Sequence, residues 1–231
     1  MAVLATAGVL APDGAAANWI AGSFWAAALV ATCASLAIQL PLAQIVSAGI
    51  VAAALGCLSH AVNSVVGLPF GNGAWPTVPP PKLLGLVPAV LPVIWTVAAL
   101  SARGAARGLL HQHRTHPNQG YRVIALATVL TTLVGFGFAT AGATDGRSPG
   151  AWIILLSGWS AVSLLVQILM TPLLIDKFPQ TRPANSMPLW VWCALCLRFA
   201  VVLLRHHEWA PAAVMVAGAL FAIGSNFGLR R

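Results

Sequence analysis

Apolar residues run along this chain in long blocks that are separated by short polar stretches. A helix that crosses a membrane needs about 20 mostly apolar residues. Seven blocks approach that length: 18–39, 42–66, 83–101, 123–143, 151–175, 189–204 and 209–227. Only a short stretch around Pro41 separates the first two, so the chain either turns tightly there or kinks within one long helix. The pattern predicts an all-α, polytopic transmembrane helix bundle of about seven spans, with six or eight as alternatives.

The composition agrees with a protein whose solvent is lipid. Of the 231 residues, 59% are apolar and 7% are charged, whereas a soluble domain carries about 25% charged residues. So few charges cannot cover a soluble protein of this size. The composition therefore excludes a soluble enzyme, a disordered chain and a disulfide-rich secreted module. No soluble domain, long linker or internal repeat interrupts the pattern, so we expect residues 1–231 to form a single integral membrane domain.

The net charge of +8 fits a membrane topology better than a nucleic-acid site. No soluble basic domain is present to bind nucleic acid, and cytoplasmic loops of membrane proteins collect Lys and Arg. If the N-terminus lies outside, one side holds eight basic residues: Arg103, Arg107, Arg114, Arg122, Lys177, Arg182, Arg230 and Arg231. The other side holds three: Lys82, Arg147 and Arg205. We predict an inner (cytoplasmic) membrane protein with its N-terminus outside and its C-terminus inside.

Polar residues inside the apolar blocks are candidates for function because ionisable groups are costly in a membrane. His60 lies in the second block, and Asn63 and Ser64 follow on the same helix face. These groups either line a small wet cavity or only bond neighbouring helices. Arg198, in the sixth block, either extends toward the membrane surface or pairs with a carboxylate. Asp176, after the fifth block, is either a proton donor at the membrane surface or the local partner of a basic residue.

Neither the histidine-rich loop nor the cysteine pair predicts a metal site. His111, His113 and His116 stand without the carboxylate or thiolate neighbours that metal sites use. Cys193 and Cys196 are spaced as C-x-x-C but lie inside an apolar block, where cysteine acts as a small apolar residue. The sequence therefore predicts no metal and no cofactor.

The most specific pattern follows the second apolar block. It reads GLPFGNGAW and leads into a helix rich in Pro and Trp. This segment resembles the membrane-embedded carotenoid biosynthesis proteins of the CruF type, whose characterised members are carotenoid hydratases. The matching positions are Gly67, Pro69, Phe70, Gly71, Trp75, Pro92, Trp95, Arg103, Gly150, Gly158 and Trp159. The resemblance extends over about residues 50–200.

The resemblance implies addition of water to the terminal double bond of an acyclic carotenoid, which needs no redox cofactor. A general acid protonates the alkene, a tertiary carbocation forms, and water attacks it. His60 or Asp176 is the implied acid, and aromatic faces stabilise the cation. The implied substrate-binding residues are Asn63, Pro69, Phe70, Gly71, Trp75, Trp95, Trp159 and Arg198. The expected partners are a carotenoid or other isoprenoid and the lipid bilayer.

The chain departs from the family pattern where the family carries acids. His60 replaces a glutamate near the end of the second span, and Gly135 and Ala139 stand where the fourth helix usually ends with acidic residues. Leu155 replaces an asparagine before the Gly-Trp pair. Two hypotheses stay open. The chain is a hydratase, or it is a non-catalytic relative that binds a carotenoid as a subunit of a larger membrane complex.

Overall fold

The protein is a bundle of long helices. A computed structural model describes residues 15–71, 82–83, 85–110, 118–141, 149–174 and 185–228. In these residues seven α-helices follow one another: α1 (Ala15–Ala37), α2 (Leu42–Val66), α3 (Leu91–Leu109), α4 (Gln119–Ala141), α5 (Pro149–Met170), α6 (Met187–Arg205) and α7 (Trp209–Gly228). A short antiparallel pair of strands, β1 (Lys82–Leu83) and β2 (Val87–Pro88), precedes α3. The predicted all-α bundle is confirmed.

Proline and glycine set the ends of α2. The chain turns between α1 and α2, where the amides of Gln39 and Leu40 both donate to the Leu36 carbonyl, so Pro41 marks a turn and not a kink. At its other end α2 stops at Gly67, which has a left-handed φ of 73° and donates its N–H to the Asn63 carbonyl. Glycine takes this conformation without steric cost, and a helix commonly ends there.

The third span was predicted eight residues too early. The predicted span begins where the chain forms the strand pair β1 and β2 instead, and Gly85, between the two strands, has a left-handed φ of 72°. Pro92 then lies in the first turn of α3, where its missing N–H costs nothing. The helix continues to Leu109, so Arg103 and Arg107, which we predicted in a cytoplasmic loop, belong to α3. Arg103 is buried because its side chain finds partners inside the bundle.

Helix α3 lies at the centre of the bundle and separates two clusters of buried apolar side chains. The first cluster joins α1, α3, α4, α6 and α7 around Phe24, Trp192 and Phe199. The second cluster joins α2, α3 and α5 around Trp95 and Trp159. Alanines on α3 let its neighbours approach closely on both sides. The central position of α3 allows its residues to contribute to both clusters.

The outer faces of the helices are apolar. Large side chains on α2 and α5 are exposed, among them Ile50 and Leu58 on α2 and Ile153 on α5. In water such continuous apolar surface is rare on a single chain, but in lipid it is expected. Four helices are long and apolar enough to cross a membrane, and two shorter apolar helices accompany them. With α3, these helices agree with about seven spans.

Candidate functional site

Four ring side chains pack together at the centre of the second cluster. His60 from α2 stacks on Phe70 with ring centroids 4.3 Å apart, and its ring lies edge-on to Trp159 of α5 at 5.4 Å. Trp95 of α3 stacks on Trp159 at 4.7 Å. All four are at most 2% exposed. We call these four residues the His60 cluster.

Glycines on the surrounding helices make room for these rings. A Cβ atom on Gly56, one turn before His60 on α2, would overlap the ring of Trp95. A Cβ atom on Gly135 of α4 would overlap the ring of Trp159. Helix interiors disfavour glycine on conformational grounds. Glycine is nevertheless present at these two positions because it leaves space for an indole ring against the helix backbone.

A short segment after α2 carries Phe70 back over His60. The side chain of Asn63 holds it: Asn63 Oδ1 accepts the Phe70 N–H at 2.7 Å, and Asn63 Nδ2 donates to the Gly71 carbonyl at 3.3 Å. Gly71 has a φ of 86°, which suits glycine. The Pro69 carbonyl rests directly on Gly158 of α5. The GLPFG motif is therefore the segment that closes one side of the cluster.

Replacement of Asn63 by leucine, which has a similar volume, is expected to loosen this segment. The variant loses both hydrogen bonds and leaves a buried Phe70 amide without an acceptor, a cost of about 1–3 kcal/mol. Denaturation of the purified protein in detergent measures the loss. Ser64→Ala is the matched control because the Ser64 hydroxyl is exposed and bonds only within its own helix. Equal stability of the two variants would show that Asn63 does not hold the segment.

The cluster contains one side chain that can carry and release a proton, which is His60. Glu208 is the single carboxylate residue in the described part of the chain, and it is exposed at the start of α7. The same residues contain no group of three His, Cys, Asp or Glu that suits a metal ion. The loop with His111, His113 and His116 lies outside them. The chemistry that the cluster can support is thus proton transfer beside aromatic faces.

The structure brings most of the predicted site residues together. Those at or beside the His60 cluster are His60, Asn63, Pro69, Phe70, Gly71, Trp95 and Trp159. Trp75 and Asp176 lie outside the described residues. Arg198 belongs to a different place: its guanidinium carbon lies 4.4 Å from the Phe24 ring centre and 5.9 Å from that of Trp25, both in the first cluster. Arg198 therefore packs against rings of α1, away from the His60 cluster.

Gln167 was missed by the sequence analysis, although it joins three helices. Its Nε2 donates to the Ala99 carbonyl of α3 at 3.1 Å and to Thr131 Oγ1 of α4 at 3.3 Å. Its Oε1 and its backbone carbonyl both accept from Arg103 Nη1, at 3.2 and 3.1 Å. The sequence feature that could have identified Gln167 is its position as a single glutamine inside an apolar block. Its partners lie far away in the sequence, so only the fold identifies them.

Gln167→Leu is expected to destabilise the bundle. The change keeps the volume but leaves Arg103 with one acceptor fewer, and a hydrogen bond to a charged group contributes about 1.5–3 kcal/mol. Gln44→Leu makes the same change at a glutamine whose Oε1 has no hydrogen-bond partner among the described residues. In a thermal denaturation series, Gln167→Leu should melt well below Gln44→Leu. Similar melting temperatures would assign Gln167 no structural role.

Comparison with known proteins places the chain in a family. The model of the family described as "Carotenoid biosynthesis protein" matches residues 17–223, which include every described helix almost completely. Neither a curated protein nor a solved structure matches the sequence. The matched range contains both clusters and the GLPFG segment. The chain is therefore a membrane protein that belongs to the carotenoid biosynthesis protein family.

Proposed function

We propose that this protein adds water to the terminal double bond of an acyclic carotenoid, or a related isoprenoid, and that His60 is the acid. The observation that carries the proposal is the enclosure of His60 by the rings of Phe70, Trp95 and Trp159. The role in carotenoid biosynthesis follows from the family. The hydration chemistry rests on the residues of the cluster.

The reaction needs one proton donor and one water molecule. The protonated His60 imidazole gives its proton to the less substituted carbon of the alkene, whose π electrons form the new C–H bond. A tertiary carbocation remains on the neighbouring carbon. A water oxygen attacks this carbon, and the resulting oxonium returns one proton to the neutral imidazole. The net change is addition of one water molecule with no change of oxidation state that needs a cofactor.

The aromatic rings stabilise the positive charge both on the imidazolium of His60 and on the carbocation that forms after proton transfer. A ring face stabilises a desolvated cation by about 2 kcal/mol. Phe70 stacks on His60 and so contacts the imidazolium before proton transfer. The Trp159 ring lies against both His60 and Phe70, with the Phe70 centroid 5.1 Å away. A substrate end that reaches His60 therefore meets the same rings that surround the acid.

A second candidate function is carotenoid binding without catalysis. It is favoured by Gly135, one of the positions where the resembled family carries acidic residues. A side chain there would overlap Trp159, so the site has no room for an acid at this position. Ala139, at the other position where the family carries an acid, and Leu155, where the family carries an asparagine, are both buried in the second apolar cluster. In this alternative the cluster is a binding surface, and the protein is a subunit of a larger pigment-containing membrane complex.

Mass analysis of pigments distinguishes the two functions. The chain is expressed in a host that accumulates acyclic carotenoids, and the extracted pigments are compared with those of the empty host. A hydratase yields a pigment heavier by one water. Unchanged pigment that co-purifies with the protein would support the binding function instead. Absence of both would contradict each proposal.

We also propose the inner membrane as the location, with the N-terminus outside. Of the eleven basic residues counted for this orientation, four lie in helices: Arg103, Arg107, Arg122 and Arg205. Five of the other seven are on the predicted cytoplasmic side, which still favours this orientation: Arg114, Lys177, Arg182, Arg230 and Arg231. Reporter fusions at the 111–117 loop and at the C-terminus should report the cytoplasm. A periplasmic signal from both would reverse the orientation.

A further inference from the structure

Helices α3 and α5 carry polar groups at intervals of one turn along facing sides. On α3 these are Trp95, the Ala99 carbonyl, Arg103 and Arg107. On α5 they are Trp159, Ser163 and Gln167, followed by the Leu174 carbonyl just beyond the helix. Residues four apart lie above one another on a helix. We call this set the polar column.

Contacts across the column run in register. Trp95 stacks on Trp159, the Ala99 carbonyl accepts from Gln167, and Arg103 donates to Gln167. Arg107 donates to the Leu174 carbonyl. The partners keep a nearly constant separation in sequence, as expected for two helices that run parallel. The column therefore leads from the His60 cluster to the C-terminal ends of α3 and α5.

Four polar atoms in the column are buried and have no hydrogen-bond partner in the described part of the chain. They are Trp95 Nε1, Trp159 Nε1, Ser163 Oγ and Arg103 Nε. Buried tryptophan N–H groups normally find an acceptor. In this protein Trp192, which is equally buried, donates its N–H to the Leu130 carbonyl at 3.0 Å. The four atoms belong to residues of α3 and α5 that lie between the His60 cluster and Arg103 along the two helices, so we seek one common explanation for them.

Ser163 strengthens the point because it departs from its neighbours. On α5 the hydroxyls of Ser157 and Thr171 bond back to a carbonyl four residues earlier. Six hydroxyls on other helices bond back over three or four residues in the same way: Thr32, Ser35, Ser59, Thr128, Thr131 and Thr140. The fully buried Ser163 makes no such bond. The buried Thr132 hydroxyl on α4 also lacks a partner among the described residues.

We propose that the polar column binds a row of water molecules that connects the His60 cluster with the aqueous surface. Water fits because it is small and neutral, and because it accepts from indole and guanidinium donors while it donates to the serine oxygen. The idea deepens the proposed function, on which its purpose rests, because hydration consumes one water molecule in each turnover inside an apolar bundle. The column supplies that water.

Hydrogen exchange of the indole N–H groups tests the column without any substrate. The protein, labelled with ¹⁵N-tryptophan and held in lipid nanodiscs, is transferred to D₂O, and each indole signal is followed by NMR. Trp95→Phe, Trp159→Phe and Trp192→Phe variants assign the signals. We expect the Trp95 and Trp159 protons to exchange at least about tenfold faster than that of Trp192, which keeps its hydrogen bond. Exchange as slow as that of Trp192 would overturn the proposal.

Ser163 variants then test the path itself. Ser163→Ala removes one partner of the bound water and should slow exchange at Trp159 about tenfold, as for one lost hydrogen bond. Ser163→Thr keeps the hydroxyl and should leave the rate near that of the natural protein. Equal rates in the two variants would show that water reaches the indoles by another route. Because these rates need no carotenoid, rapid exchange without a hydrated product would reject the hydratase and keep the column.

Discussion

His60→Ala is expected to abolish the hydrated carotenoid while the protein still folds and binds pigment. In the proposed reaction His60 is the only proton donor in the cluster, and loss of a general acid lowers the rate by about 10²–10⁴-fold. The measurement is the yield of hydrated pigment in the carotenoid-accumulating host, normalised to the amount of protein in the membrane. The rings around position 60 remain, so the binding surface persists.

Two further variants separate acid catalysis from packing. His60→Gln retains a polar side chain of similar size between Phe70 and Trp159 but cannot act as an acid, so it should be as inactive as His60→Ala. His206→Ala is the matched control because His206 is an exposed histidine at the end of α6. It should leave the yield unchanged. A full yield of hydrated pigment from His60→Gln would show that His60 is not the acid and would leave Asp176 as the candidate acid.

Gly158→Ala, which adds one methyl group, is expected to lower the stability of the protein more than the other variants proposed here. A Cβ at position 158 would overlap the carbonyl oxygen of Pro69, and its distance to the Phe70 ring would be 3.2 Å. The overlapping atom belongs to the backbone, which cannot rotate away as a side chain can. Overpacking of a core costs about 1–3 kcal/mol, occasionally more, and we expect the upper end of this range here. The variant should also lose activity because the same contact places Phe70 over His60.

Gly22→Ala is the control for this experiment. Gly22 also lies within a helix, but nothing lies within 4 Å of its Cβ position. There alanine relieves the cost of glycine in a helix and should stabilise the protein by about 0.5–1 kcal/mol. The same substitution thus has opposite signs at the two positions. Thermal denaturation in detergent measures both, and a stable, active Gly158→Ala variant would contradict the described contact between Pro69 and α5.

The two functional proposals differ in what they require of the protein. Catalysis requires an acid, a cation-stabilising surface and a supply of water. We propose the cluster as the source of the first two and the polar column as the source of the third. Binding alone requires only the apolar and aromatic surface, and it makes the buried donors of the column unnecessary. The pigment analysis decides between the two functions, and the exchange experiment tests the column independently of that result.

The hydropathy pattern alone was enough for the fold class and for most helices. Blocks of about 20 apolar residues predict spans because lipid leaves the backbone no partner outside its own helix. Six of the seven predicted spans overlap a helix almost fully, whereas the third was shifted. The error in the third span has a local cause. The apolar run at 83–90 contains Gly85 and Pro88, residues that favour turns over helix, and a hydropathy pattern does not detect this preference.

The candidate site was predicted in part. His60 and Asn63 were identified as polar residues inside a span, and the GLPFG segment and Trp95 and Trp159 through the family resemblance. The glycines that seat the rings were not understood, because a glycine in an apolar block has no distinct signal until its neighbour is known. Arg198 was also given as a substrate-binding residue, whereas the rings that it contacts belong to α1.

What the sequence by itself determined is local: which segments enter the membrane, where proline and glycine end them, and which few polar residues enter with them. What only the tertiary structure decided is which of these residues meet. Gln167 and Arg103 are 64 residues apart, and Trp95 and Trp159 are equally distant in sequence. In a helix the backbone forms its hydrogen bonds within the helix itself. The local sequence therefore does not determine which other helix it packs against. The partners are chosen by packing between helices, which depends on the shapes of all seven at once.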